Sequence, residues 1–202
     1  MDQQTGAELT MDTNTINNEF NRYGRQIELE GKMDKFGGKK ITDEQGFEYW
    51  EVDNPQKYLE SVLLERRWVF HGTTGKYTEL IPQKSQDEVK ESGNRVAVYF
   101  TNNPILAEFC ALAGGGKSVG ARQNATHMSY DIDTKEVTYP DVSLSVEFPE
   151  NVAGEGYVYL SPIEGTELVN DEWLSYESRK PDIAIKVKKT DLKYPIQKNL
   201  KT

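Results

Sequence analysis

The chain has 202 residues, enough for one domain with a core that needs neither disulfide nor metal for stability. It carries 24 basic and 33 acidic residues, a formal net charge of -9, which disfavours a protein that coats DNA or RNA. One cysteine, Cys110, excludes an internal disulfide and a cysteine zinc cage, and His71 and His127 are the only imidazoles. No apolar run is long enough to span a bilayer. Residues 1–20 lack the basic start and apolar centre of a signal peptide. The expectation is a metal-free cytoplasmic protein.

Residues 1–18 are rich in Asn, Thr, Gln and Asp without apolar period and predict a loose tail. Phe20, Tyr23, Ile27 and Leu29 are spaced for a short helix over 19–32, ended by Gly31. Phe47, Tyr49, Trp50 and Val52 suggest a strand. Asn54-Pro55 is an N-cap followed by proline, and Tyr58, Leu59, Val62 and Leu63 make one stripe of a helix ending near Arg66-Arg67. Trp68 to His71 reads as a buried strand closed by Gly72-Thr73-Thr74-Gly75. A short charged helix is expected over 87–91, then a strand over 95–101. Asn103-Pro104 caps a helix that stops at Gly114-Gly115-Gly116. Further strands are expected over 128–133, 142–148, 157–160, 173–176 and 183–187, before a lysine-rich end. Helices and strands do not alternate regularly, so the class is α+β rather than a doubly wound sheet.

Three segments carry chemistry. In Phe70-His71-Gly72-Thr73 a histidine and a glycine end a buried strand, exposing an imidazole and a backbone N–H at one rim. In Val98-Tyr99-Phe100-Thr101, leading into a helix with Phe109, two aromatics can flank a flat ring. In Asn170-Asp171-Glu172-Trp173-Leu174-Ser175-Tyr176-Glu177, a carboxylate at a strand start can stabilise positive charge developing on a sugar. Each has a plain structural reading as well: a histidine satisfied at a turn, aromatics in a core, acids on a solvated edge. Glu172 and Glu177 fall on opposite faces of a regular strand. Ala111 to Ser118 (ALAGGGKS) imitates a phosphate loop, but a helix precedes it where that loop requires a strand. Cys110 sits in the helical stripe as an inert thiol.

In order and register these segments resemble the ADP-ribosyltransferase superfamily, in the His-Tyr-Glu branch that includes the poly(ADP-ribose) polymerase catalytic domain and bacterial and phage proteins. FHGT (70–73) is similar to the strand ending in His-Gly, VYFT (98–101) to the aromatic strand, and EWLSYESRKPDIAIKV (172–187) to the glutamate that opens a late strand. The resemblance spans about residues 60 to 195 as an order of elements, with close matches at only some fifteen positions. It implies a split β-sandwich with a few short helices: a helical decoration over 19–66 and an NAD-binding core over 67–195. It implies NAD as substrate. His71 would hold a ribose hydroxyl, the Gly72 backbone would grip the carboxamide with Thr73 beside it, and Tyr99 and Phe109 would stack on nicotinamide. Glu172 would stabilise the oxocarbenium-like transition state, with Glu177 as rival.

The expected activity is mono-ADP-ribosylation of a protein acceptor with release of nicotinamide. One alternative is an inactive binding module of the same fold, as an accessory protein of a phage or plasmid. Another is an RNA 2'-phosphotransferase, which needs a cluster of arginines; Arg66, Arg67, Arg95, Arg122 and Arg179 are scattered in sequence.

Overall fold

The computed structural model of the protein describes residues 13–84, 95–114, 118–131 and 133–199, with side chains from residue 18. Helix α1 (Thr13–Met33) is followed by β1 (Lys39–Thr42), β2 (Glu48–Glu51), helix α2 (Pro55–Leu63), β3 (Trp68–Thr73), β4 (Gln83–Lys84), β5 (Val96–Phe100) and helix α3 (Pro104–Ala113). Strands then dominate: β6 (Arg122–Asp131), β7 (Glu136–Val146), β8 (Glu155–Pro162), β9 (Glu167–Val169), β10 (Glu172–Ser175), β11 (Ile183–Lys188) and β12 (Gln197–Lys198). The class is α+β, strand-heavy towards the C-terminus. No described helix is long and apolar enough to cross a membrane.

Local chemistry explains the helices of the middle segment. The Asn54 side chain accepts from Lys57 N–H at 2.9 Å and the Asn103 side chain from Leu106 N–H at 3.2 Å, each followed by proline at the first helical position. Helix α1 departs from the expected short element. It starts at Thr13, inside the expected tail, and runs through Gly24 and Gly31 to Met33. Two interior glycines weaken a helix by about 1 kcal/mol each. Tertiary contacts outweigh them: Arg25 and Gln26 bond Asp182, and Leu29 and Met33 are fully buried. The expected helix over 87–91 lies outside the described residues.

Three sheets form. The first has the order β1-β2-β11-β8-β3, antiparallel except where β2 meets β11. The second, β4-β5-β10-β9, is antiparallel throughout. The third, β12-β7-β6, is built on one long hairpin where two shorter strands were expected. Among the described residues one backbone bridge joins the first two: Phe70 N–H donates to Thr101 C=O at 2.7 Å, and Thr101 N–H to Phe70 C=O at 2.9 Å.

The five-stranded sheet has two unlike faces. Phe70, Val158, Leu160, Ile185 and Val187 face α2, α3 and the long hairpin in the larger core. Val69, Tyr157, Tyr159 and Ala184 face Phe47, Tyr49, Val98 and Phe100 in a smaller, aromatic one. The second sheet closes over this aromatic face.

Candidate functional site

The candidate site sits where β3 leaves β5. Phe70 spends its backbone hydrogen bonds on Thr101, so the N–H and C=O of Gly72, two residues on, project from the same strand edge towards β5. The His71 ring bridges the widening seam. Its Nδ1 lies 2.8 Å from the Tyr99 carbonyl oxygen. A carbonyl only accepts, so Nδ1 carries the proton and the neutral ring keeps a lone pair on Nε2. Burial holds the His71 pKa below its ordinary value, against the opposing pull of the Tyr99 carbonyl. The histidine is therefore neutral at physiological pH, with its tautomer set by the backbone.

Glu172 is placed by a tight hairpin. Val169 pairs with Glu172, and the two residues between them, Asn170 and Asp171, are both left-handed at φ 48° and 66°. Asn and Asp tolerate that conformation better than other side chains, and the turn matches the twist of the strands. Register continues the argument. Trp173 pairs with Phe100 and Leu174 with Tyr99, so Glu172 stands level with Thr101. Side chains directly opposite share a face, and so do residues two apart on a strand. Tyr99, Leu174 and Glu172 thus lie on one face, with Glu172 diagonal to Tyr99.

The sequence reading has His71, Tyr99 and Glu172 in one hollow. The structure brings Tyr99 and Glu172 to a common face but turns the His71 ring to the other, 6.0 Å from Phe100 and 6.4 Å from Tyr159 between centroids. The two sides meet only at the seam, through the bond to the Tyr99 carbonyl. Phe109 departs from its expected stacking role: it is 1% exposed, packed in the larger core, and offers no ring face to a ligand. Glu177 is exposed beyond the opposite end of β10, where its backbone engages the Ser175 hydroxyl. Thr73 is half-buried and its hydroxyl accepts from Gly75 N–H.

Gly72 also has a packing duty that sequence reasoning missed. A Cβ there would stand 2.0 Å from the Ala107 carbonyl oxygen and 2.7 Å from the Ala111 nitrogen. The glycine lets α3 lie directly on β3. Tyr159 was missed too. Its ring flanks His71, and its hydroxyl accepts from Tyr77 N–H at 2.7 Å and donates to Gly75 C=O at 3.0 Å. Burial raises its pKa, so it remains a donor. The available signal was the alternation Tyr157-Val158-Tyr159-Leu160, which puts two tyrosines on one face of a strand.

The five arginines of the matched region are dispersed. Arg66 lies over the Tyr130 ring, Arg67 pairs with Glu28, Arg95 meets Tyr176, Arg122 reaches the Ala113 carbonyl and Arg179 bonds Ser175. No group of three or more His, Cys, Asp or Glu side chains fit to hold a metal occurs among the described residues. At the glycine-rich segment, α3 runs into Gly114, whose N–H donates to the Cys110 carbonyl. Comparison with known protein families, characterised proteins and solved structures finds no match.

Proposed function

We propose that this chain is an NAD-dependent mono-ADP-ribosyltransferase that modifies a protein acceptor and releases nicotinamide, built on an ADP-ribosyltransferase-like split sandwich. The observation that carries the reading is the seam itself. It sets a neutral histidine of fixed tautomer and a glycine edge with both backbone groups projecting beside the strand whose opposite face carries Tyr99 and Glu172, so that NAD has to straddle the seam to meet all four.

The chemistry follows from those groups. The Gly72 N–H donates to the carboxamide oxygen of nicotinamide and its C=O accepts from the amide nitrogen. Tyr99 stacks on the ring and fixes its plane. Nε2 of His71 accepts from a ribose hydroxyl. The bond between ribose C1' and nicotinamide nitrogen breaks, and its electron pair leaves with nicotinamide. Positive charge grows on the ribose, and the Glu172 carboxylate stabilises it. An acceptor side chain then bonds to C1' and gives up its proton. The five arginines of the matched region make separate contacts and form no phosphate-gripping cluster, which weighs against the phosphotransferase alternative.

The test is release of nicotinamide from NAD in the presence of acceptor protein. Glu172→Gln should lower kcat about 100- to 1,000-fold while NAD still binds, whereas His71→Ala should raise KM for NAD. Full turnover by Glu172→Gln, or no nicotinamide from the wild-type protein with any lysate, removes the reading. Binding of NAD with no turnover leaves the inactive module in its place.

A further inference from the structure

Helix α1 has two apolar sides. Leu29 and Met33 are fully buried against the body of the protein, yet Phe20, Tyr23 and Ile27 are 76%, 62% and 53% exposed. At 100° per residue these three and Gly24 fall within a sector of about 100° on the helix surface. Arg22, Arg25 and Gln26 occupy the opposite side and bond Pro181 and Asp182. The Asp182 carboxylate is buried beneath them, so the helix cannot roll its outer stripe inward. Single exposed apolar residues need no explanation, but a contiguous stripe on a clamped helix marks an interface.

We propose that this stripe seats a second copy of the chain, the two α1 helices packing antiparallel about a two-fold axis between Tyr23 and Gly24. That axis sets Phe20 of one copy against Ile27 of the other, and each Tyr23 against the opposing Gly24. The fit is self-complementary, as an isologous contact must be. A Cβ built on Gly24 meets no heavy atom within 4 Å, so the hollow has room for a ring.

The area suffices. At about 200 Å² for each large side chain, the three leave on the order of 400 Å² of apolar surface per copy. Doubled and extended by neighbouring helix surface, this approaches the ~1,200 Å² at which stable interfaces begin. The rim suits the same occupant. One flank carries Glu19 paired with Lys180 and, further along, Glu30 paired with Lys40. The two-fold lays the first pair beside the second pair of the other copy, so two neutral ion pairs meet there and neither copy brings an unpaired charge to the rim. An anionic bilayer suits it less, because surface-seeking helices carry an excess of Lys and Arg beside the apolar stripe.

Sedimentation of the full chain at tens of micromolar tests the proposal. The wild-type protein should run at twice the monomer mass. Phe20→Glu should raise the dissociation constant at least 100-fold with an unchanged far-ultraviolet circular dichroism spectrum. Gly24→Leu should do the same by filling the hollow; leucine forms helix better than glycine, so unfolding cannot account for that loss. A wild-type monomer at every concentration overturns the proposal, as does a dimer indifferent to Gly24→Leu. A monomer that instead floats with vesicles of anionic lipid overturns it in favour of a membrane.

Discussion

The two faces of the five-stranded sheet solve the same packing problem differently. On one, helix α3 lies almost backbone to backbone on the strands: a Cβ on Gly156 would come within 1.8 Å of the Ala111 carbonyl oxygen, and one on Gly72 within 2.0 Å of that of Ala107. On the other, a layer of tyrosine and phenylalanine rings fills a wider gap between two sheets. Phe47 stands edge-on to Tyr157 at 5.3 Å, and Tyr159 ties the loop at 75–77 with its hydroxyl. The helix face tolerates no added atom. The aromatic face keeps polar tips inside an apolar layer. Close backbone packing on one side of β3 holds the histidine strand in place.

Substitutions should separate the faces by size of effect. Gly156→Ala should be the most damaging, about 3 kcal/mol by urea unfolding, because the obstacle is helix backbone and not a flexible side chain. An effect below about 0.5 kcal/mol would show that α3 floats on the sheet. Tyr159→Phe should cost about 1.5 kcal/mol for two lost hydrogen bonds, and it should speed amide exchange in residues 75–77 more than in α3. Equal protection changes on both faces would break the distinction. Asn103→Ala should cost about 1 kcal/mol through the α3 cap.

The helix side also carries a titration. Glu108 is 1% exposed, its Oε1 meets no hydrogen-bond partner among the described residues, and burial raises its pKa well above the ordinary 4.5, with Asp191 and Glu60 adding to the rise. A raised folded pKa means that the folded state holds the proton longer than the unfolded one. Its stabilising contribution is complete below about pH 4.5 and is lost as pH rises through the folded value, at up to ~1.4 kcal/mol per pH unit. Glu108→Gln should flatten that slope; an unchanged slope between pH 5 and 7 would assign it to other groups such as Asp182, whose pKa burial also raises. The aromatic side behaves oppositely. The folded pKa of His71 is lowered, so its contribution is complete above the ordinary 6.5 and is lost as pH falls below it. Nicotinamide release should decline over the same acidic window as Nε2 gains a proton, and a maximum at pH 5 would contradict the assigned acceptor role.

Much of the frame was legible in the residues. Asn-Pro pairs before apolar stripes located α2 and α3, and runs of Val, Tyr, Phe and Ile located β3, β5, β8 and β11, because caps and side-chain period act over a few residues. The hairpin β6–β7 was read short because β6 is largely polar on both faces and lacks the alternation that marks a half-buried strand. Helix α1 was also read short at its start, because residues 13–18 are mostly Thr and Asn and show no apolar period.

For the site, sequence determined the residue types: an imidazole and a glycine ending one strand, a tyrosine in the next, a carboxylate after an Asn-Asp turn. Tertiary structure alone decided that Tyr99 and Glu172 share a face, that His71 turns to the other and binds the Tyr99 carbonyl, and that Phe109 and Glu108 are buried. Caps, turns and period act between near neighbours along the chain, whereas strand register and burial depend on segments far apart in sequence, which local preference does not encode.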